Sequence, residues 1–320
     1  MSLPTLAEIE EGAALVHRHM RATPEIAWPL LAERLGTRVV VKHENHTPAG
    51  AFKVRGGITY IDALRREMPD VPGVITATRG NHGQSVTRAA TAAGLTATIY
   101  IPHGNSVEKN AAMRAFGAEL VEEGEDFQAC YEACIARAEA EGLHLLASFH
   151  PWLLRGVASY GYELMTACPD LDVIYVPIGL GSGICSTIAV RDALGLKTEV
   201  VGVVSENAAA YALSFAAGEP VSTNSADTMA DGMACRVPVP DAVAIINAGA
   251  ARVVQVSDEE IKAAMRAYYT DCHQIAEGAG AAPLAAAMQE RERLQGKSVG
   301  LVLSGGNIDM DVYAGVLAEG

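Results

Sequence analysis

Several features that would assign a chain to a class at once are missing from this sequence. Its six cysteines among 320 residues include no CxxC pair and no disulfide-framework spacing, which favours reduced thiols and predicts no zinc site. No apolar run is long enough to span a bilayer, and the N-terminus lacks the basic and apolar segments of a signal peptide. We therefore predict a cytoplasmic protein with no membrane partner.

Positive charge is also scarce. The chain has 24 Lys and Arg against 38 Asp and Glu, for a net charge of −14. Such a surface repels phosphate backbones and argues against a nucleic-acid partner. Half of the residues are hydrophobic, which supports a sizeable core and excludes general disorder. No linker, repeat or low-complexity segment marks a domain boundary.

Strand-length apolar runs alternate with helical patterns along most of the chain. Several runs are rich in Val and Ile without strict alternation, which is typical of strands covered on both faces. Repeated strand-helix-strand units predict an α/β fold with a parallel sheet and right-handed crossovers. The candidate strands are Arg38–Lys42, Gly73–Ala77, Thr96–Ile101, Glu119–Glu122, Leu143–Ser148, Asp172–Ile178, Glu199–Val204, Arg252–Val256 and Ser298–Leu303.

Helix ends carry their own signals. Thr5 and Glu8 have the spacing of a capping box, which predicts the start of the first helix. Gly94, Gly117 and Gly142 each follow a helical run, where a left-handed residue commonly ends a helix.

A glycine-rich loop follows the strand Asp172–Ile178 and precedes a helical run, Ile184–Leu194. Free backbone N–H groups and a positive helix end meet at such a turn, so it can cradle a phosphate. Because residue 184 is Ile, the GxGxxG dinucleotide pattern is not met, which argues against a nicotinamide-dependent dehydrogenase. A tight turn without a ligand fits the same residues. The loop consists of Gly179, Leu180, Gly181, Ser182 and Gly183.

A lysine, Lys53, lies among small residues and beside Phe52 just after an early strand. Desolvation there would favour the neutral amine, which is the nucleophile needed for a Schiff base. An isolated loop lysine is otherwise a surface cation. Ser304 follows the last strand in a Ser-Gly-Gly-Asn turn.

A third turn follows the strand Gly73–Ala77 and opens a helix. Small hydroxyl and amide residues at a helix start can bind a carboxylate, although an N-cap with glycines in the turn explains them equally well. The turn contains Thr78, Arg79, Gly80, Asn81 and His82.

Taken together and in this order, these motifs resemble the fold-type-II pyridoxal phosphate (PLP) enzymes. The turn Ala51–Gly57 is similar to the Ser-Phe-Lys-x-Arg-Gly-Ala motif of the threonine/serine dehydratase (threonine ammonia-lyase) family. The segments Thr228–Gly232 and Glu277–Ala282 also look like dehydratase segments. The resemblance covers nearly the whole chain.

The resemblance implies a role for each motif. Lys53 would hold PLP as a Schiff base and later act as the base at Cα, with Phe52 beside the ring. Asn81 would bond the 3′-oxygen, and Ser304 would face the pyridine nitrogen. The glycine loop, residues 179–183, would hold the phosphate. The substrate carboxylate would be received by Thr78, Arg79, Gly80, Asn81 and His82.

The implied activity is a deaminating α,β-elimination of a 3-hydroxy amino acid, such as threonine or serine, to a 2-oxo acid and ammonia. A serine carries no charge at the pyridine nitrogen, so prompt loss of the β-hydroxyl is favoured. The alternative is another β-elimination or replacement enzyme of the same fold, acting on a β-aryl serine, on hydroxyaspartate or as a synthase. A non-catalytic binding protein on this scaffold is disfavoured by the presence of Lys53.

The implied fold is that of the tryptophan synthase β family, with two open, twisted, mostly parallel sheets flanked by helices. A large PLP-binding domain would comprise residues 1–68 and 153–320, and a small α/β domain, residues 69–152, would be inserted. Relatives in this family are commonly homodimers or homotetramers.

The sequence departs from its relatives in several places. Arg79 replaces a serine that carries a proton in the racemases, so we predict no efficient racemisation. Residues 205–210 hold one acid, Glu206, too few for a hard divalent cation, so no metal is predicted. The segment containing His150, Trp152 and Arg155 either packs a domain joint or shapes a distinct substrate pocket. No regulatory domain follows the last predicted helix, Asp309–Leu317, which suggests a catabolic enzyme.

Overall fold

A computed structural model gives the conformation of residues 1–125 and 127–319. Within these residues, strands and helices alternate through most of the chain. The strands are β1 Glu25–Ala27, β2 Arg38–His43, β3 Gly73–Ala77, β4 Thr96–Ile101, β5 Glu119–Glu122, β6 His144–Leu145, β7 Val173–Pro177, β8 Glu199–Ser205, β9 Arg252–Val256 and β10 Ser298–Leu303.

The α-helices of the described residues account for most of the remaining chain. None of them is long and apolar enough to cross a membrane. They are α1 Leu6–His17, α2 Pro29–Leu35, α3 Lys53–Glu67, α4 Asn81–Ala92, α5 Val107–Ala115, α6 Phe127–Glu141, α7 Pro151–Ala167, α8 Ser182–Ala193, α9 Ala210–Ala217, α10 Pro240–Gly249, α11 Asp258–Cys272, α12 Gly278–Gln289 and α13 Met310–Ala318.

The strands form two sheets. One has the order β1-β2-β10-β7-β8-β9 and is parallel apart from β1; the other has the order β5-β4-β3-β6 and is parallel throughout. The predicted α/β class with two mostly parallel sheets is confirmed. The six-stranded sheet combines strands from both ends of the chain, whereas the four-stranded sheet uses residues 73–145 alone. The domain boundaries at 68 and 153 stay a prediction.

The strand predictions agree with the structure to within one residue at each end, with two exceptions. β6 spans two residues instead of the predicted Leu143–Ser148, because its pairing with β3 is limited to Val74 and Ile75. β1 was not predicted from the sequence. It is a three-residue antiparallel edge strand, too short to produce a recognisable pattern.

The six-stranded sheet is covered on both faces, as its Val-rich strands predict. In β2, Val39 and Val41 belong to a core cluster with α2, α11 and α12. Val40 points the other way, into a cluster that includes residues of α1, α7 and α8. This alternation is the two-residue period of a strand, and helices bury both sides of it.

The predicted helix ends are confirmed. Thr5 and Glu8 form a capping box, in which the Thr5 amide donates to the Glu8 carboxylate at 2.9 Å. Gly94, Gly117 and Gly142 have φ angles of 74°, 102° and 65°, a left-handed conformation that favours glycine.

Parallel strands place their carboxyl ends at one edge of a sheet, and this brings the predicted motifs toward one another. The lysine turn follows β2, the glycine loop follows β7, and Ser304 follows β10, all in the six-stranded sheet. The turn at residues 78–82 follows β3 of the four-stranded sheet.

Candidate active site

The lysine turn is fixed to the end of the last strand. The backbone N–H of Phe52 donates to the carbonyl of Ser304 at 3.0 Å, and Ala51 forms a β-bridge with Gly305. The Thr47 hydroxyl closes the turn by bonding both the N–H and the carbonyl of Ala51, at 2.9 and 2.8 Å. These bonds attach the start of α3 to the residues that follow β10.

The amine of Lys53 points at the glycine loop. Its Nζ donates to the Ser182 Oγ at 3.2 Å and lies 5.1 Å from the centroid of the Phe52 ring. Burial lowers the pKa of Lys53 from 10.5 to about 8. A far larger fraction of this amine is therefore neutral near pH 7 than in an ordinary lysine, as a Schiff-base nucleophile requires.

The glycine loop needs its glycines for close approach. Gly181 has a φ of 96°, and a Cβ there would lie 2.8 Å from the Cβ of Ala242. A Cβ on Gly179 would lie 2.3 Å from the carbonyl oxygen of Gly232. The Leu180 carbonyl accepts a hydrogen bond from the Tyr211 hydroxyl at 3.0 Å, which attaches the loop to α9.

The loop leads directly into a helix. α8 begins at the buried Ser182, so its first N–H groups have no partner within the helix. A Cβ on Gly183 would come within 3.4 Å of the Tyr160 hydroxyl and 3.7 Å of the Phe52 ring. The free N–H groups of this helix start lie beside the Lys53 amine, an arrangement that can bind an anion.

The turn after β3 is mostly buried and held by hydrogen bonds. The Thr78 hydroxyl accepts from the Gly80 N–H at 3.1 Å, and the Thr78 N–H donates to the Tyr100 carbonyl at 2.9 Å. The turn is held against the lysine helix, since the Ser85 hydroxyl donates to the Lys53 carbonyl at 2.6 Å. The first turns of α4 therefore lie beside the N-terminus of α3.

His82 is the one predicted residue of this turn with an unpaired buried atom in the described chain, at Nε2. Burial and the charge of Lys53 lower its pKa to about 3. His82 is thus a neutral imidazole near the Lys53 amine, with a nitrogen free to bond a ligand.

Ser304 lies beside the lysine turn. It is buried at the end of β10, and its carbonyl holds Phe52. Within the described residues, its hydroxyl makes no hydrogen bond to protein. It is therefore available to a ring nitrogen beside the lysine turn.

The Arg79 side chain differs from the others in this turn. It is exposed, and its charge acts on Cys130 of α6, where it opposes the rise in thiol pKa caused by burial. The structure therefore places it toward α6 and gives it no contact with Lys53.

The unusual segment before α7 also has contacts elsewhere. The rings of His150 and Trp152 pack against Tyr60 at centroid distances of 5.0 and 5.2 Å, and Arg155 pairs with Glu8 of α1. These contacts favour packing between α1, α3 and α7 over a pocket. In the described residues, no group of three or more His, Cys, Asp or Glu side chains is arranged to hold a metal ion.

The structure adds residues that the sequence did not single out individually. Asn81 donates to Glu277 at 2.7 Å and accepts from Asn307 at 2.8 Å. The other Glu277 oxygen lies 3.6 Å from the ammonium of Lys109, which donates to Asp231 at 2.6 Å. Both acids lie in segments that carry the dehydratase resemblance, but nothing local to the sequence predicts that they meet near Asn81.

The residues present fit PLP. A glycine-rich cradle at a helix N-terminus suits the phosphate, and a desolvated amine 3.2 Å from the Ser182 hydroxyl of that cradle suits the aldehyde. The buried His82 Nε2 has no hydrogen-bond partner in the described chain and could bond a ligand. We therefore assign Lys53 and residues 179–183 as the groups that would hold it.

Comparisons with known proteins identify the family of this chain. The family described as pyridoxal-phosphate dependent enzyme matches residues 16–305. The chain is 34% identical to the L-threonine ammonia-lyase of Geobacter sulfurreducens, over 98% of this chain and 78% of that protein. It is 31% identical to the L-threonine ammonia-lyase of Thermotoga maritima, over 99% of this chain and 79% of that protein.

A solved structure supports the same conclusion. The threonine deaminase from T.th. superposes with a TM-score of 0.90 at 29% identity, covering 96% of this chain and 99% of that one. The resemblance to threonine/serine dehydratases and the PLP cofactor, both predicted from the sequence, are confirmed. This chain belongs to the pyridoxal-phosphate dependent enzyme family.

Proposed function

We propose that this protein releases ammonia from a 3-hydroxy amino acid such as threonine or serine and leaves a 2-oxo acid. The observation that carries the proposal is the Lys53 amine, lowered in pKa to about 8 and 3.2 Å from the Ser182 hydroxyl of the glycine loop. The names of the similar ammonia-lyases and the deaminase support the same reaction class.

Each group has a task in this reaction. Bound PLP would supply the electron sink that stabilises negative charge at Cα. The Nζ of Lys53, whose pKa is lowered by burial, would take the proton from Cα as general base in its neutral form. The backbone N–H groups of residues 179–183 would fix the phosphate, and Ser304 would bond the pyridine nitrogen. Phe52 would bound the ring on one side.

The turn at residues 78–82 would bind the substrate carboxylate. Thr78, Gly80 and Asn81 lie at the N-terminus of α4, where the helix dipole favours an anion, and neutral His82 adds an unpaired buried nitrogen. Arg79 is exposed and has no contact with Lys53, so we propose no proton transfer by it and no efficient racemisation.

The test is a panel of substrates assayed with purified holoenzyme. Threonine, serine, β-phenylserine and hydroxyaspartate are each scored for ammonia and 2-oxo acid in equal amounts, without an added nucleophile. Lys53→Ala is expected to lose activity by about 10³-fold or more, since general-base catalysis contributes about 10²–10⁴-fold. Lys197→Ala, an exposed lysine distant in sequence, is the matched control.

The outcomes separate the candidates. Release from at least one hydroxy amino acid, abolished only in Lys53→Ala, supports the proposal. Turnover that requires a second nucleophile indicates a replacement enzyme instead. Full ammonia release by Lys53→Ala contradicts the proposed mechanism.

We also propose that the protein is a homodimer or homotetramer in the cytoplasm. The family resemblance supports this assembly. A single monomer mass in light scattering across micromolar concentrations would contradict it.

A further inference from the structure

One buried acid of the site has no task in the scheme above. Glu277 directly precedes α12 and is almost fully buried. Its Oε1 accepts from the Asn81 side chain at 2.7 Å, and its Oε2 has no hydrogen-bond partner in the described chain, with the Lys109 ammonium 3.6 Å away. A buried carboxylate without a full set of partners is costly, so its position beside Asn81 points to a role there.

The side-chain amide of Asn81 is held in one orientation from two sides. The Asn307 amide donates to the Ala49 carbonyl at 2.8 Å, and a carbonyl can only accept, so this end of Asn307 is its NH₂ group. The same NH₂ lies 2.8 Å from Asn81, which must present its oxygen there. On the other side, an ionised Glu277 can only accept, so it selects the Asn81 NH₂.

The contacts with Asn307 and with Glu277 therefore require the same orientation of the Asn81 amide. One N–H of this amide has no partner in either contact. We propose that Glu277 is a positioning residue: in its ionised form, which Lys109 favours, it fixes Asn81 so that an N–H donor faces the cofactor's 3′-oxygen. The inference relies on the proposed function only for the presence of PLP beside Asn81.

The charges around Glu277 come from several elements. Burial raises the pKa of Glu277 to about 7, Lys109 of α5 opposes the rise, and Asp231 adds to it. Burial lowers the pKa of Lys109, but Glu277 and Asp231, with Asp309 beyond them, outweigh it and raise that pKa. Below about pH 7 Glu277 gains a proton, can then donate, and no longer selects the Asn81 NH₂.

Glu277→Gln should disturb the hydrogen bonds of Asn81, and adding Lys109→Met should restore them. In Glu277→Gln, the cation of Lys109 attracts the glutamine oxygen, which turns the glutamine NH₂ toward Asn81. Asn81 would then have to present its oxygen to both neighbours. With Lys109→Met added, the glutamine oxygen is free to face Asn81, and the native orientation is restored. A purely structural loss would make the two changes additive instead.

The experiment measures the visible absorption band of bound PLP across roughly pH 6 to 9, the Kd of PLP, and kcat and KM on the best substrate. Glu277→Gln is expected to shift the band and lower kcat by about 10- to 100-fold, as for loss of a group that orients another, with little change in KM. The double variant should recover at least about tenfold of that kcat, since the conflict is removed.

Lys109→Met alone supplies a second test that does not depend on the folding of Glu277→Gln. Without the cation the pKa of Glu277 rises further, so the pH at which the band changes should move up by about one unit or more. Glu108→Gln, also on α5, keeps its contact with the Met310 N–H and controls for helix docking. Glu290→Gln, a partly buried acid paired with Arg252, controls for loss of a charge.

An unshifted band in Glu277→Gln, an additive double variant, or an unchanged pH midpoint in Lys109→Met overturns the proposal. The band and the Kd require no turnover. If no hydroxy amino acid is consumed, these two readouts still decide the role of Glu277, and only the proposed reaction fails.

Discussion

Removal of the Arg55 guanidinium should destabilise the fold strongly, although Arg55 does not touch the glycine loop. Its side chain is completely buried two residues after Lys53. It bonds both oxygens of Glu44, at 2.6 and 2.9 Å, and both oxygens of Glu163, at 2.6 and 2.8 Å. It also donates to Ser159 and Thr23. Arg55→Met leaves two buried carboxylates with too little positive charge.

The magnitude follows from the burial. Breaking a buried ion pair by removing one partner costs about 3–5 kcal/mol. Unfolding entropy near 2.1 cal/mol/K per residue gives ~0.7 kcal/mol/K for 320 residues, so Tm should fall by about 4–7 °C. The variant Arg55→Lys keeps the positive charge but has fewer hydrogen-bond donors. Its Tm should therefore lie between those of the wild type and Arg55→Met.

The pH dependence of stability provides an independent test of the role of Arg55. Burial alone would raise the pKa of Glu163, but Arg55 and Lys42 outweigh it and lower the pKa to about 2, from 4.5. Glu163 therefore contributes stability that is fully present above about pH 4.5 and is lost as pH falls toward 2. Without Arg55 this carboxylate protonates at higher pH, so the acid-unfolding midpoint should move up.

The assay is thermal and acid unfolding followed by circular dichroism on the apoprotein. Arg38→Met is the control, because its partner Asp170 is exposed and surface pairs contribute about 0–1 kcal/mol. Equal Tm losses in Arg55→Met and Arg38→Met, or an unmoved acid midpoint, would refute the reasoning.

Three further predictions concern the cofactor and metal. Gly181→Ala should weaken PLP binding by about tenfold or more, because its Cβ meets Ala242 at 2.8 Å; Gly195→Ala, also at positive φ but in open space, should not, and equal Kd values would contradict this. The rate at which apoprotein captures PLP should rise with pH and level off above about 8, following the lowered pKa of Lys53; a rise continuing to about pH 10 would indicate a solvated amine. Prolonged chelation with EDTA should leave ammonia release unchanged, and strict dependence on Mg²⁺ would overturn the prediction of no metal site.

The sequence by itself determined the α/β class, most strand positions, the helix caps and the chemical type of each loop. These features depend on windows of roughly 5 to 15 residues, such as the Val-rich run of β2 or the glycines between β7 and α8. The order of the four motifs along the chain added the family and its cofactor.

Only the tertiary structure decided which side chains meet. Asn81 and Glu277 are 196 residues apart, and Lys109 reaches them from a third segment. The short edge strand β1 exists because β2 offers it a partner. No local pattern encodes such contacts, because they depend on how the crossovers order the strands in each sheet and on which strand ends then face one another. The burial of Glu277 and its contacts with Asn81 and Lys109 are properties of that assembly.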